Sequence, residues 1–284
     1  MRRWGTRALA SCAFLAAAVF GCGQALPLEP VHQSGSSVTG AFEGWFKNPD
    51  GTFSLLLGYY NRNTKQELDI PPGPENRIEP GGPDRGQPTH FLPGRQWGMF
   101  TVKVPADFGD SKITWTIVAN GQATVIPAGL KPDYEISPLV EAAVGNTPPV
   151  LAFEEHGPTA QGPQGITVER SAKVGVPLTL DLWVSDDAKY TTSSGARPKN
   201  LGVPVTLRWT KYRGPGVVEF AAEKPEVKGE LTAKGFAGTA TTTASFSEPG
   251  NYVLHVVAND YSGEGGAGFQ CCWTNGQIKV SVQP

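Results

Sequence analysis

The chain is poor in charge. Asp, Glu, Lys and Arg make up 18% of its 284 residues, and the formal net charge is −2. Both signs are mixed along the sequence, so there is no basic patch to hold nucleic acid and no acidic tail. Histidine and cysteine are scarce, at four each, and no metal-ligand spacing stands out among them. A nucleophile-elbow glycine pattern, a His-Glu-x-x-His motif and a phosphate loop are all missing. Glu154–Glu155–His156 is the nearest thing to an acid–base trio, but neighbours on an extended segment point apart, and the trio reads as a solvated turn. The first half lacks helical periodicity. Beyond the N-terminus there is no apolar run long enough to span a membrane.

Turn-formers are abundant, with 35 Gly and 25 Pro. Together with many Thr and Val they indicate short strands joined by many loops. The length suits about two domains.

The N-terminus reads as a secretory signal peptide over 1–25: three arginines in "MRRWGTR", then the small and apolar run "ALASCAFLAAAVFGC". "VFGC" at 19–22 resembles a lipobox, which would cut before Cys22 and acylate it. The alternative is cleavage after "GQA", leaving a soluble chain that begins near Leu26. Export is expected either way. The protein would be an outer-membrane or cell-surface lipoprotein of a bacterial envelope, or else periplasmic or secreted.

Residues 26–37 are Pro/Ser-rich and read as a tether. A first β-sandwich is expected over 38–140. "GAFEGWF" and "TFSLLLGYYNR" flank the turn "KNPDG", and "KITWTIVA" and "QATVIPA" flank a tight Asn120-Gly121 hairpin turn. The segment 70–98 holds seven prolines and reads as a long loop without regular structure, packed down by Phe91, Leu92 and Trp97. After a linker at 141–150, residues 151–284 read as a second sandwich. Leu178, Leu180, Leu182 and Val184 share one strand face, as do Val205, Leu207 and Trp209, then Tyr252, Leu254, Val256 and Ala258. Ile278, Val280 and Val282 close the series. His255 falls on the opposite face from Tyr252 and Leu254 and reads as a sheet-surface residue. The fold class is therefore all-β, two sandwiches in tandem.

"NTPPV", "LTLDLWVSDDA", Trp209, "EPGNYVLHVVANDYSG" and "IKVSV" together resemble a PKD-like or cadherin-like domain of the immunoglobulin type, over roughly 147–284. The resemblance implies a third-strand tryptophan at Trp209 and a tyrosine at Tyr252 opening the sixth strand. It also implies that the loops 186–203 and 260–275 meet at one end of the sandwich. Asp186, Asp187, Lys189 and Tyr190 would then converge with Asp260, Tyr261, Glu264 and the Cys271–Cys272–Trp273 run. Asp186, Asp187 and Asp260 have two readings: a Ca²⁺ site, or strand ends that accept hydrogen bonds from nearby backbone N–H groups.

Cys271 and Cys272 are the two cysteines left in the mature chain. A disulfide between neighbours, two separate thiols with Cys272 on the core face and Cys271 outside, a bond to another chain, and a soft-metal site all remain open. Ligand-binding candidates gather in the proline-rich segment. Arg77, Asp84, Arg85, His90 and Arg95 lie beside Phe91 and Trp97, and polar groups next to aromatic rings suit sugars or peptides. The reading these residues support is a non-catalytic exported envelope protein, a binding or spacer module that needs no cofactor beyond Ca²⁺ at the tip. Its partner would be an envelope protein or polysaccharide, with membrane attachment only through the N-terminal lipid. The alternatives are a hydrolase using His90 and Asp84, a carbohydrate-binding protein working through 70–98, and a redox or metal role for Cys271–Cys272.

Overall fold

A computed structural model describes residues 32–190, 201–265 and 271–284. The signal segment, with Cys22, lies outside them. So do 191–200 and 266–270 in the two loops expected at the tip. The described residues form eighteen strands, with a 3-10 turn at Pro132–Tyr134. The fold is all-β.

The first sandwich contains β1 (Val38–Lys47), β2 (Phe53–Asn61), β3 (Leu68–Asp69), β4 (Asn76–Glu79), β5 (His90–Phe91), β6 (Gly94–Val104), β7 (Lys112–Ala119) and β8 (Gln122–Gly129). One sheet runs β1-β2-β6 and another β4-β7-β8, with β3 and β5 as a small pair. Asn120 and Gly121 both take positive φ, 50° and 75°, which a right-twisted two-residue hairpin turn requires. Trp115 fills the core between the sheets, edge-on to Phe100 at 5.2 Å. Its indole N–H donates to Asn76 Oδ1 at 3.0 Å.

Segment 70–98 differs from the loop expected. It is packed, but it also contributes β4, β5 and the start of β6 to the sheets. Prolines interrupt it only between these pieces. Asn76, fully buried, ties it together by donating to the Ile70 and Pro88 carbonyls at 2.8 Å each. The tether is also shorter than read, because 32–37 is bound to the domain. Ser36 N–H donates to Asn63 Oδ1 at 2.7 Å, and Arg62 N–H donates to the Ser37 carbonyl at 3.1 Å.

The second sandwich follows with β9 (Val150–Ala152), β10 (Thr159–Gln161), β11 (Ile166–Lys173), β12 (Leu178–Asp186), β13 (Thr206–Arg213), β14 (Val218–Phe220), β15 (Lys228–Thr232), β16 (Gly235–Phe246), β17 (Gly250–Asn259) and β18 (Trp273–Gln283). One sheet is ordered β10-β9-β12-β16-β14, with β15 also on β16, and the facing sheet is β11-β18-β17-β13. β11 runs parallel to β18 while the other pairs are antiparallel. This is the strand order of an immunoglobulin-type sandwich. Trp209 is fully buried in its core against Phe153 and Phe220. The Tyr252 hydroxyl donates to the Glu248 carbonyl at 2.9 Å, turning back onto the chain that precedes its strand.

The outer face of β13, β17 and β18 is covered around Thr210 and His255. Tyr212 belongs to the hydrophobic core of the first sandwich, and His255 is 0% exposed. The surface position expected for His255 is thus overturned, because the first sandwich covers that face. The described residues from 32 onward pack as one body, within the single compact unit Val31–Pro284.

Candidate functional site

The tip of the second sandwich gathers the carboxylates and cysteines. Each aspartate at a strand end accepts from the backbone two residues ahead. Ala188 N–H donates to Asp186 Oδ1 at 2.7 Å, Lys189 N–H to Asp187 Oδ1 at 3.0 Å, and Ser262 N–H to Asp260 Oδ1 at 2.8 Å. Further donors come from the linker. Asn146 Nδ2 reaches Asp260 Oδ2 at 2.5 Å, and the Thr147 N–H and hydroxyl both reach Asp187 Oδ2 at 3.1 Å. Residues 141–147 are therefore held against the tip rather than strung freely between domains. The Tyr261 hydroxyl donates to the Gly202 carbonyl at 2.9 Å, and its ring lies 5.8 Å from that of Tyr190.

Burial sets the electrostatics here. Desolvation pushes the Asp186 carboxyl up to about 7, with the Asp260 and Asp187 charges adding to it against the Ala188 hydrogen bond. Asp260 is also raised, again mainly by burial. Asp186 Oδ2, Asn146 Oδ1 and Glu141 Oε2 are buried without a partner, so a proton on Asp186 supplies a donor where acceptors predominate. Among the described residues no group of three His, Cys, Asp or Glu side chains is placed to hold a metal ion.

Cys271 and Cys272 are joined by a disulfide across a cis peptide. Strand β18 starts only at Trp273, so the alternation extrapolated back from Ile278 stops short of them. Cys271 does not face outward: both residues are buried, at 2% and 0% exposed. Cys272 Sγ rests 3.5 Å from the Asn146 carbonyl oxygen, so the sulfur pair sits under the linker.

The proline-rich candidates do not form one site. His90 pairs with Asp69 at 2.9 Å and Glu67 at 3.2 Å. Asp84 pairs instead with Arg213 of the second sandwich, so the His90–Asp84 pairing that a hydrolase would use is absent. Burial opposes the Asp69 charge, but the hydrogen bonds from His90 and Lys211 outweigh it and hold that carboxyl below its ordinary range. Phe91 is wholly in the core. Arg77 pairs with Glu79, and Arg85 donates to the Pro80 and Lys103 carbonyls. Arg95 reaches the buried Glu43 at 2.5 Å and lies 4.0 Å over the Trp97 ring. Only Trp97 of the aromatic pair stays on the surface, at 37% exposed.

Several of these residues fasten the sandwiches together. Arg213 grips Asp84 through two hydrogen bonds, at 2.8 and 2.9 Å, and donates to the Gln87 carbonyl through Nε at 2.9 Å. The Tyr212 hydroxyl donates to the Gly86 carbonyl at 2.6 Å, and Thr89 N–H donates to the Tyr212 carbonyl at 3.1 Å. Farther along the seam, Asn275 Nδ2 reaches the Gly98 carbonyl at 2.7 Å. Sequence reasoning missed this contact. Its one trace is the crowding of Arg208, Thr210, Tyr212, His255 and Asn275 onto strand faces that a lone domain would leave to water.

No protein-family model matches the chain, and no curated protein matches it. Among solved structures it is similar to the D00-D0 domain of intimin, at 12% identity over 87% of this chain and 100% of that one, with a TM-score of 0.26. Domains 4 and 5 of the S-layer protein SbsC give 12% identity over 88% and 98%, at 0.22. The zebrafish RET cadherin-like domains 1 to 4 give 12% over 78% and 46%, at 0.26. All three scores are low, and the fold stands on this chain's own strand order.

Proposed function

We propose that the protein is a non-catalytic module exported to the bacterial envelope, tethered through an acylated Cys22, that acts as a rigid spacer or binding element. The observation that carries this reading is the two-pronged Arg213–Asp84 pair with its neighbours Tyr212 and Gln87. Side chains that could have served a ligand or a reaction in 70–98 are spent on joining two sandwiches into one body. Burial of both cysteines and their closure by the linker favour a structural use over a redox one. The partner is an envelope protein or polysaccharide, met by loops away from the anchored end.

Purified mature chain mixed with its own envelope material tests this directly. Saturable co-sedimentation without release of soluble sugars or peptides is expected. Products that accumulate with the native chain and vanish with His90→Ala would replace the reading with a hydrolase.

A further inference from the structure

Unpartnered polar atoms concentrate at the sandwich junction. Arg208 Nε, Thr210 Oγ1, both ring nitrogens of His255 and Trp273 Nε1 are all buried without a hydrogen-bond partner. Buried polar groups in proteins are nearly always satisfied, so this many in one place is not ordinary packing. All four side chains line the same recess between the sandwiches, which Arg95, Trp97, Glu264 and Gly265 also line. Thr210, His255 and Trp273 are 9%, 0% and 2% exposed.

The atoms come from adjacent strands of one sheet. Thr210 is paired with His255, and Arg208 with Val257, so they stand side by side on the face turned to the first sandwich. Each of the four side chains can donate a hydrogen bond. Guanidinium Nε and indole Nε1 can only donate, the threonine hydroxyl can donate, and a neutral imidazole donates through one nitrogen. Asn275 Oδ1 stands near the ring and favours its protonation, yet makes no hydrogen bond in the structure.

We infer that this recess binds a carboxylate, with Arg208, Trp273, Thr210 and His255 as its donors. The free volume is about 30 Å³, room for roughly two water-sized atoms, as a carboxylate's oxygens require. A carboxylate accepts about four hydrogen bonds, which matches the donors present. The Trp97 ring beside the recess is already occupied, with Arg95 4.0 Å over it and Gly265 packed against it, so recognition rests on the carboxylate alone. Glu264 Oε1 lies 4.0 Å from Arg208 Nη1 and is largely exposed. It competes weakly for the same cation from outside. The inference is independent of the envelope reading, since a carboxylate site would stand in a spacer, an enzyme or a receptor alike.

Heteronuclear NMR of the Trp273 indole N–H in the mature protein provides the test, with sodium acetate, glucuronate and chloride added at matched ionic strength. Acetate is expected to move this resonance saturably. Glucuronate doing the same identifies acidic sugars as an accepted source, and acetate alone identifies small organic acids; both support the site. Arg208→Gln should weaken acetate binding about tenfold. Glu264→Gln, on the exposed rim, should tighten it about threefold, and so keeps the test decisive if the Arg208 variant does not fold. No saturable movement with any probe, equal movement with chloride, or an unchanged affinity in Glu264→Gln would overturn the inference.

Discussion

Arg213 and Asp84 lie 129 residues apart in sequence and meet through two parallel hydrogen bonds of 2.9 and 2.8 Å. One belongs to the third large strand of the second sandwich, the other to the proline-rich segment of the first. Both are partly exposed, so the charge–charge part of the pair is screened and modest. The fixed geometry is what the pair contributes, together with the Arg213 bonds to the Gln87 carbonyl.

Asp84→Asn should cost about 1 kcal/mol in urea unfolding. Arg213→Ala should cost roughly 2–3 kcal/mol, because it also strips donors from a carbonyl. Equal costs for the two variants would show that the Gln87 bonds contribute nothing.

Gly98 has φ +49°, and a Cβ placed there would run into the Trp273 indole ring. Gly98→Ala should therefore destabilise the protein by roughly 3 kcal/mol. Gly94→Ala is its control. Gly94 also has positive φ, at +79°, but nothing lies within 4 Å of its Cβ position. The difference between the two Tm losses isolates the clash at the seam.

Tyr252→Phe removes only the hydroxyl that reaches the Glu248 carbonyl. A loss of about 1 kcal/mol is expected in equilibrium unfolding, with the strand and its packing unchanged.

His255 and Asp186 give opposite pH dependences. Burial brings His255 down from 6.5 to about 4, and the nearby Arg208 adds to this while Asn275 opposes it. The ring is neutral when folded and protonates on unfolding, so its contribution is complete above pH 6.5 and drains away as pH falls toward 4. About 3 kcal/mol is at stake. Tyr212, Arg95 and Glu264 are the other ionisable groups around that face. Asp186, raised from 3.8 to about 7, contributes most below pH 3.8, and that contribution is lost as pH rises through 7. His255→Gln should flatten the acid limb of the stability profile, and Asp186→Asn should flatten the decline toward neutrality. Parallel profiles for variant and native chains would contradict both assignments.

The second sandwich was the more legible half. Alternation at Leu178–Val184 and Tyr252–Ala258 marks one core face per strand, and that face is where the core lies. The strand-end hydrogen bonds of Asp186, Asp187 and Asp260 follow from local chemistry and were readable too. The junction was not. Alternation assigns His255 to solvent because a period of two distinguishes only two faces, and it cannot say what covers the second one. Asn76 to Glu79 looked like loop because prolines crowd it, whereas its strand is made by pairing with distant β7. Asp84 and His90 invited pairing by proximity in sequence, but each found a partner elsewhere in space.

Calorimetry of the mature chain tests the central claim, that the two sandwiches form one body through this seam. A single unfolding transition is expected, with calorimetric and van't Hoff enthalpies equal, moving as a whole to lower temperature in Gly98→Ala. Two resolved transitions in the native chain, with Gly98→Ala shifting only one of them, would show the sandwiches to be independent and the account of the junction wrong.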